Sequence, residues 1–325
     1  MQNMVINRPA DTPLRETVVE GTPSQAPSTG TEDALRVMDL SKTFRSGFLK
    51  RRIRGIEGVS FVVPRGSVFA LLGHNGAGKT TTINSILDLV HADGGVVEIF
   101  GQDHRQKSAR ARLGYLPERP YFFDHLTGRE LLQFAAQLLA VPSADRRDRI
   151  DSVLARTGMT ASADRRLRKY SKGMLQRIGL AQTLVGDPDL FILDEPMSGL
   201  DPMGRREVRD LLLELKGQGK TIILSSHIVP DVEMLADQVG IMCEGKLVLT
   251  RNLADLDEGG CYKVNLRNTS QGEAVTSTLV DEVESLRTLL EDCHRTGVQV
   301  VSVETHRTGL EDVFLRANNR TETAS

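Results

Sequence analysis

Gly73-His74-Asn75-Gly76-Ala77-Gly78-Lys79-Thr80 sets glycines, a lysine and a hydroxyl at the spacing GxxxxGK[ST]. Glycines let the backbone wrap closely and aim N–H groups at phosphate oxygens, and a helix opening at Lys79 adds the positive end of its dipole. The spacing assigns Lys79 to the β- and γ-phosphates of a nucleotide and the Thr80 hydroxyl to Mg2+. Further along, the apolar run Leu190-Phe191-Ile192-Leu193 leads straight into Asp194 and Glu195. It reads as a buried parallel strand with two carboxylates at its C-terminal end, where open α/β sheets place their ligands. Asp194 is expected at Mg2+. Glu195, one residue beyond, is expected to face the γ-phosphate, where a carboxylate orients or deprotonates an attacking water.

Such groups need a sheet to hold them. Strand-like runs occupy 34–40, 59–63, 68–72 and 95–100, and the third ends at the phosphate loop. A helix is expected over 79–90, a second over 205–216, and a β-branched strand over 221–224 ending at Ser225-Ser226-His227. Alternating strand and helix predicts an α/β fold with a parallel sheet. Between Glu118 and Lys169 the pattern is helical and charged, and Leu131, Leu132, Phe134, Ala135, Leu138 and Leu139 are expected on one apolar face. Past residue 252 the character changes. Tyr262, Val264 and Leu266 alternate as in a strand, and Val280, Val283, Leu286, Leu290 and Cys293 recur at helical spacing. A strand over 298–303 and a short amphipathic helix over 309–315 complete a small α+β appendage. Residues 1–33 carry Pro9, Pro13, Pro23 and Pro27 among polar residues and read as a disordered tail.

Tyr170-Ser171-Lys172-Gly173-Met174 precedes the acidic strand. Together with the phosphate loop, it resembles the serine-glycine signature of ABC transporter ATP-binding subunits, over roughly residues 34–251 and more weakly to about 315. The resemblance implies a RecA-like parallel sheet with an antiparallel β subdomain over 34–251, a helical subdomain at about 119–170, and an accessory domain over 252–325. It implies an ATPase in which Glu195 is catalytic and His227 is the switch histidine that holds the γ-phosphate. Phe44 looks like the aromatic that stacks on adenine, and Gly73, His74, Asn75, Gly76, Ala77, Gly78, Lys79, Thr80 and Thr81 like the phosphate cradle. Ser171 and Gly173 resemble the groups that reach a γ-phosphate held by the opposite subunit, and Asp201 in Ser198-Gly199-Leu200-Asp201 the residue that couples the two sites. Glu118 stands where most relatives carry glutamine, and with Thr80 and Asp194 it is an expected Mg2+ contact. Lys172 and Met174 depart from the family's LSGGQ.

The implied partners are a second copy, or a related ATP-binding chain, and a separate transmembrane permease. The sequence motifs resemble those of bacterial exporters, so ATP hydrolysis is expected to drive export from the inner face of the cell membrane. The rival expectation is an ABC-type ATPase that drives or regulates a membrane protein without moving a solute. No apolar run in the 325 residues approaches the ~20 needed to span a bilayer. Net charge −2 disfavours a general nucleic-acid binder. Cys243, Cys261 and Cys293 match no metal-binding spacing.

Overall fold

The computed structural model describes residues 33–46, 51–256, 260–267, 275–280, 283–307, 309–311 and 314. All of the expected tail except Asp33 lies outside them. In chain order the strands are β1 (Asp33–Ser46), β2 (Arg51–Pro64), β3 (Val68–Leu72), β4 (Gly94–Ile99), β5 (Gln102–Asp103), β6 (Leu113–Leu116) and β7 (Leu190–Leu193). They continue as β8 (Thr221–Ser226), β9 (Gln238–Cys243), β10 (Lys246–Asn252), β11 (Gly260–Arg267), β12 (Val275–Val280) and β13 (Gln299–Arg307). The helices are α1 (Lys79–Ile86), α2 (Lys107–Arg110), α3 (Gly128–Leu138), α4 (Arg146–Arg156), α5 (Lys172–Leu184), α6 (Pro202–Gly217), α7 (Val229–Leu235) and α8 (Val283–Thr296).

The central sheet runs β10-β9-β3-β8-β7-β6, parallel from β9 to β6, with β10 antiparallel at its edge. β3 and β7 are fully buried because both faces of this sheet are covered. Their side chains alternate between two cores, as a period of two demands. Phe69, Leu71, Leu190 and Ile192 join the core beneath the antiparallel sheet β2-β1-β4-β5, where Phe69 stacks on Phe61 with ring centroids 4.6 Å apart. Val68, Ala70, Leu72, Phe191 and Leu193 join the core shared with the helices. Each such aliphatic side chain stabilises the fold by about 1.5–3 kcal/mol of burial. Register then fixes chemistry: Leu193 pairs with Leu224, so β7 and β8 end side by side.

Four sequence expectations need correction. The helix after the phosphate loop stops at Ile86, well short of Val90. Asp88 turns to φ 56°, and the Leu89 and Val90 N–H groups fold back to donate to the Asn84 carbonyl. The apolar stripe on α3 is divided. Leu131, Leu132 and Ala135 are buried, whereas Phe134, Leu138 and Leu139 are 45, 70 and 51% exposed. Phe134 and Leu138, four residues apart, form a ridge rotated away from the one that includes Leu131 and Ala135. Val280 belongs to β12, opposite Tyr262 of β11, and not to the helix, which begins at Val283. Finally, β6, β9 and β10 complete the central sheet where no strand was anticipated, β6 and β10 as its two edges. Past Gly260, β12-β11-β13 forms a separate antiparallel sheet against which α8 packs, with Val264 and Cys293 buried.

Candidate functional site

The phosphate loop links β3 to α1 at the C-terminal edge of the central sheet. Gly78 caps α1 at φ 106°, a conformation that disfavours any residue with a Cβ, and it supplies no side-chain hydrogen bond to the helix. The first N–H groups of α1 are therefore left to a ligand. Gly73 is required for a different reason: a Cβ there would stand 2.7 Å from the Met242 carbonyl oxygen of the neighbouring strand β9. Lys79 is only 5% exposed. Its ammonium donates to the Gly73 and His74 carbonyls at 2.6 and 3.2 Å and pairs with Glu195 Oε1 at 3.3 Å. The cation is thus held above the loop before any phosphate arrives.

The acidic strand is fixed as tightly. Asp194 is wholly buried, and its Oδ1 accepts from the Ser225 hydroxyl at 2.5 Å. The same hydroxyl oxygen accepts the Glu195 N–H at 2.9 Å. Asp194 Oδ2 is buried without a hydrogen-bond partner. Burial pushes the Asp194 carboxyl above its ordinary pKa; the Ser225 and Thr80 hydroxyls pull against that shift, while Glu118 and Glu195 add to it. Glu195 sits at φ 49°, in the left-handed region. Its carbonyl accepts from Gln176 Nε2 of α5 at 3.3 Å, and His227 Nδ1 lies 3.0 Å from both oxygens of its carboxylate.

A cavity of about 530 Å³ collects most of the expected residues. Phe44, His74, Asn75, Gly76, Gly78, Lys79, Thr80, Thr81, Glu118, Glu195 and His227 line it, joined by Gly55 and Ser198. Phe44 lies flush against Gly55, where a Cβ would come within 2.6 Å of its ring. The Lys42 ammonium stands 5.8 Å from that ring's centroid. Gly73, Ala77 and Asp194 are buried and do not line it.

Three further expected residues also fall outside it. Ser171 is exposed at the N-cap of α5, its hydroxyl accepting from Met174 N–H at 3.3 Å. Gly173 faces Leu200, and Asp201 caps α6 through Gly204 N–H at 2.9 Å. The signature and the Ser198-Gly199-Leu200-Asp201 loop therefore touch each other. The Lys172 side chain lies across Gly199, where a Cβ would meet Lys172 Cδ at 2.6 Å. Ser225, Gln176, Gly55 and Ser198 are the contributors that sequence reasoning missed. Ser225 left a readable signal, because a polar residue ending a strand parallel to β7 must stand beside Asp194.

The family description "ABC transporter" matches residues 56–198. The chain is 35% identical over 330 residues to an uncharacterized ABC transporter ATP-binding protein of Nostoc sp., spanning 97% of this chain and 96% of that one. It is 32% identical over 299 residues to a fluoroquinolones export ATP-binding protein of Mycobacterium tuberculosis, spanning 90% and 95%. Among solved structures it is similar to the dimeric post-hydrolysis state of an ATP-binding cassette bound to ADP and Pi. That match has a TM-score of 0.63 and 21% identity, over 67% of this chain and 98% of that one. A buried lysine in a glycine loop, a carboxylate facing a histidine and kinship along nearly the whole length lead to one conclusion: the chain belongs to the ABC transporter family, as an ATP-binding subunit that hydrolyses ATP.

Proposed function

We propose that two copies of this chain clamp Mg-ATP at two shared seams and use its hydrolysis to drive export through a separate transmembrane permease. The observation that carries this is the separation of one chain's own groups. Its adenine-facing aromatic, phosphate loop, Glu118, Glu195 and His227 share a cavity, while Ser171 and Gly173 lie outside it. A second copy packed head to tail brings its Ser171 hydroxyl and Gly173 N–H to the γ-phosphate. The structurally similar cassette bound to ADP and Pi is itself dimeric.

In each seam Phe44 stacks on the base. Lys79 and the α1 N-terminus take the phosphates, giving up part of the carbonyl contacts that now hold the ammonium. Glu195 orients the attacking water and accepts its proton, and His227, held against Glu195, donates to the γ-phosphate. Loss of that phosphate removes the contacts from the opposite signature, and the halves part. The oxygen donors Thr80, Glu118 and Asp194 fit a hard divalent cation, and the unpartnered buried Asp194 Oδ2 is the atom such an ion would satisfy. Mg2+ bound there would neutralise charge building on the phosphates.

The permease has a place to dock. Tyr121, Phe123, Phe134 and Leu138 are exposed by 93, 59, 45 and 70% beside a groove of about 400 Å³ that runs from β6 past Pro117 to α3. An apolar patch bordering the Glu118 loop suits a helix from a membrane subunit. Among the described residues no helix is long and apolar enough to cross a membrane. On this reading the chain sits on the inner face of the membrane through its permease. The test is E195Q in the purified chain with Mg-ATP. Turnover should fall by about 10²-fold or more, and the mass by light scattering should double. A variant that stays monomeric with ATP bound, or hydrolyses at the native rate, refutes the proposal.

A further inference from the structure

The C-terminal module is tied to the ATPase core at both of its ends, and both ties fall on or next to α7. Where β10 leaves the core, Leu253 N–H donates to the Asp237 carbonyl at 2.8 Å, two residues past the last residue of α7. Where the chain returns after β13, Leu310 N–H donates to Glu233 Oε1 of α7 at 3.0 Å. The Leu310 side chain is 1% exposed and belongs to the core cluster that contains Val229, Val232 and Leu235 of α7. Phe314 packs against the same cluster.

α7 is short, seven residues, and a helix of that length does not hold itself together in water. Its position depends on what packs on it. Its N-cap, Ile228, directly follows His227, whose ring is 43% exposed and is held by the Glu195 carboxylate. On its N-terminal side His227 follows the buried strand β8, and the Ser226 hydroxyl accepts the Ile228 N–H at 3.0 Å. On its C-terminal side the backbone runs straight into α7, so an anchor on α7 is the second of the two anchors on His227.

We propose that Leu310 and Glu233 form a latch through which the C-terminal module holds α7 and so sets His227 against Glu195. Both are positioning residues. The effect on turnover rests on the role given to His227 above, whereas the effect on its ring does not. In the full-length chain, L310A and E233A should each lower kcat by about tenfold while KM for ATP changes by less than about twofold. NMR of the histidine-labelled chain should show the His227 ring signals moving toward those of an unpaired histidine in both variants. L310M, which keeps the apolar volume, should restore the kcat and the ring signals. If L310A does not fold, E233A, an exposed substitution, decides the matter. Unmoved ring signals in a folded E233A overturn the latch, and so does an unchanged kcat in both variants when H227A itself loses turnover. H227A is the separate control. Native turnover in H227A removes the catalytic role of His227, and the ring signals still decide whether the latch exists.

Discussion

Two helix N-termini, those of α1 and α5, are asked on this reading to bind the same kind of anion, and they are built in opposite ways. α1 opens at Gly78, which gives the helix no side-chain cap, and beside it stands a buried ammonium already paired with carbonyls and a carboxylate. α5 opens at Ser171, whose hydroxyl already satisfies Met174 N–H, on an exposed surface. The first is organised to receive phosphate as it stands. The second is self-satisfied and must exchange a local hydrogen bond, of about 1 kcal/mol, for a phosphate brought by a partner. This difference suits the proposed clamp, in which nucleotide would bind one chain first and closure would follow when a second chain competes for that cap.

The comparison can be broken hardest at Lys79. Removing its ammonium in K79A should weaken ATP binding more than about a hundredfold, as befits loss of charge-assisted bonds to phosphate worth roughly 3 kcal/mol together. Nucleotide titration by fluorescence would show it, and unchanged affinity would remove the α1 half of the contrast. S171A sharpens the other half. The isolated chain should bind ATP normally and lose about 1 kcal/mol of stability with the cap, while ATP-driven dimerisation fails. Weakened ATP binding by the monomer would mean that the two termini are not separate. The smallest effect lies beneath them. Asp194 keeps its proton to higher pH when folded than when unfolded, so its ionisation costs stability as pH rises between those two values and the cost persists at neutral pH. D194N should therefore raise the melting temperature of the nucleotide-free chain at pH 7 and cancel the extra stability that Mg2+ gives the ATP complex. A lower melting temperature would contradict the burial argument.

Much of this contrast was legible in the residues alone. Phosphate chemistry dictates the glycines and Lys79 of the loop, and burial dictates the apolar run ending at Asp194, so both could be read without knowing their surroundings. The fate of the α3 stripe could not. Phe134 and Leu138 are as apolar as Leu131, and only the position of the sheet decides which ridge is covered. The strands β6, β9 and β10 of the central sheet and the third-sheet strand β12 were missed because their pairing partners are set by tertiary register. Ser225 and Gln176 were missed for a related reason, because each matters only through a neighbour on another element.

Glu195 occupies a backbone geometry in which glycine would be at ease and a residue carrying a Cβ is not. The chain tolerates roughly 1–2 kcal/mol of local discomfort at that residue. Gln176 and Ser225 pin the peptide groups on either side of it. Substituting glycine at this one position would relax the main chain, but it would also erase the proton acceptor and take the carboxylate partner away from the buried Lys79 ammonium, so neither turnover nor stability favours the exchange. A laboratory selection of this chain for heat resistance alone would therefore leave the strained backbone at position 195 in place, held there by the charge its side chain balances.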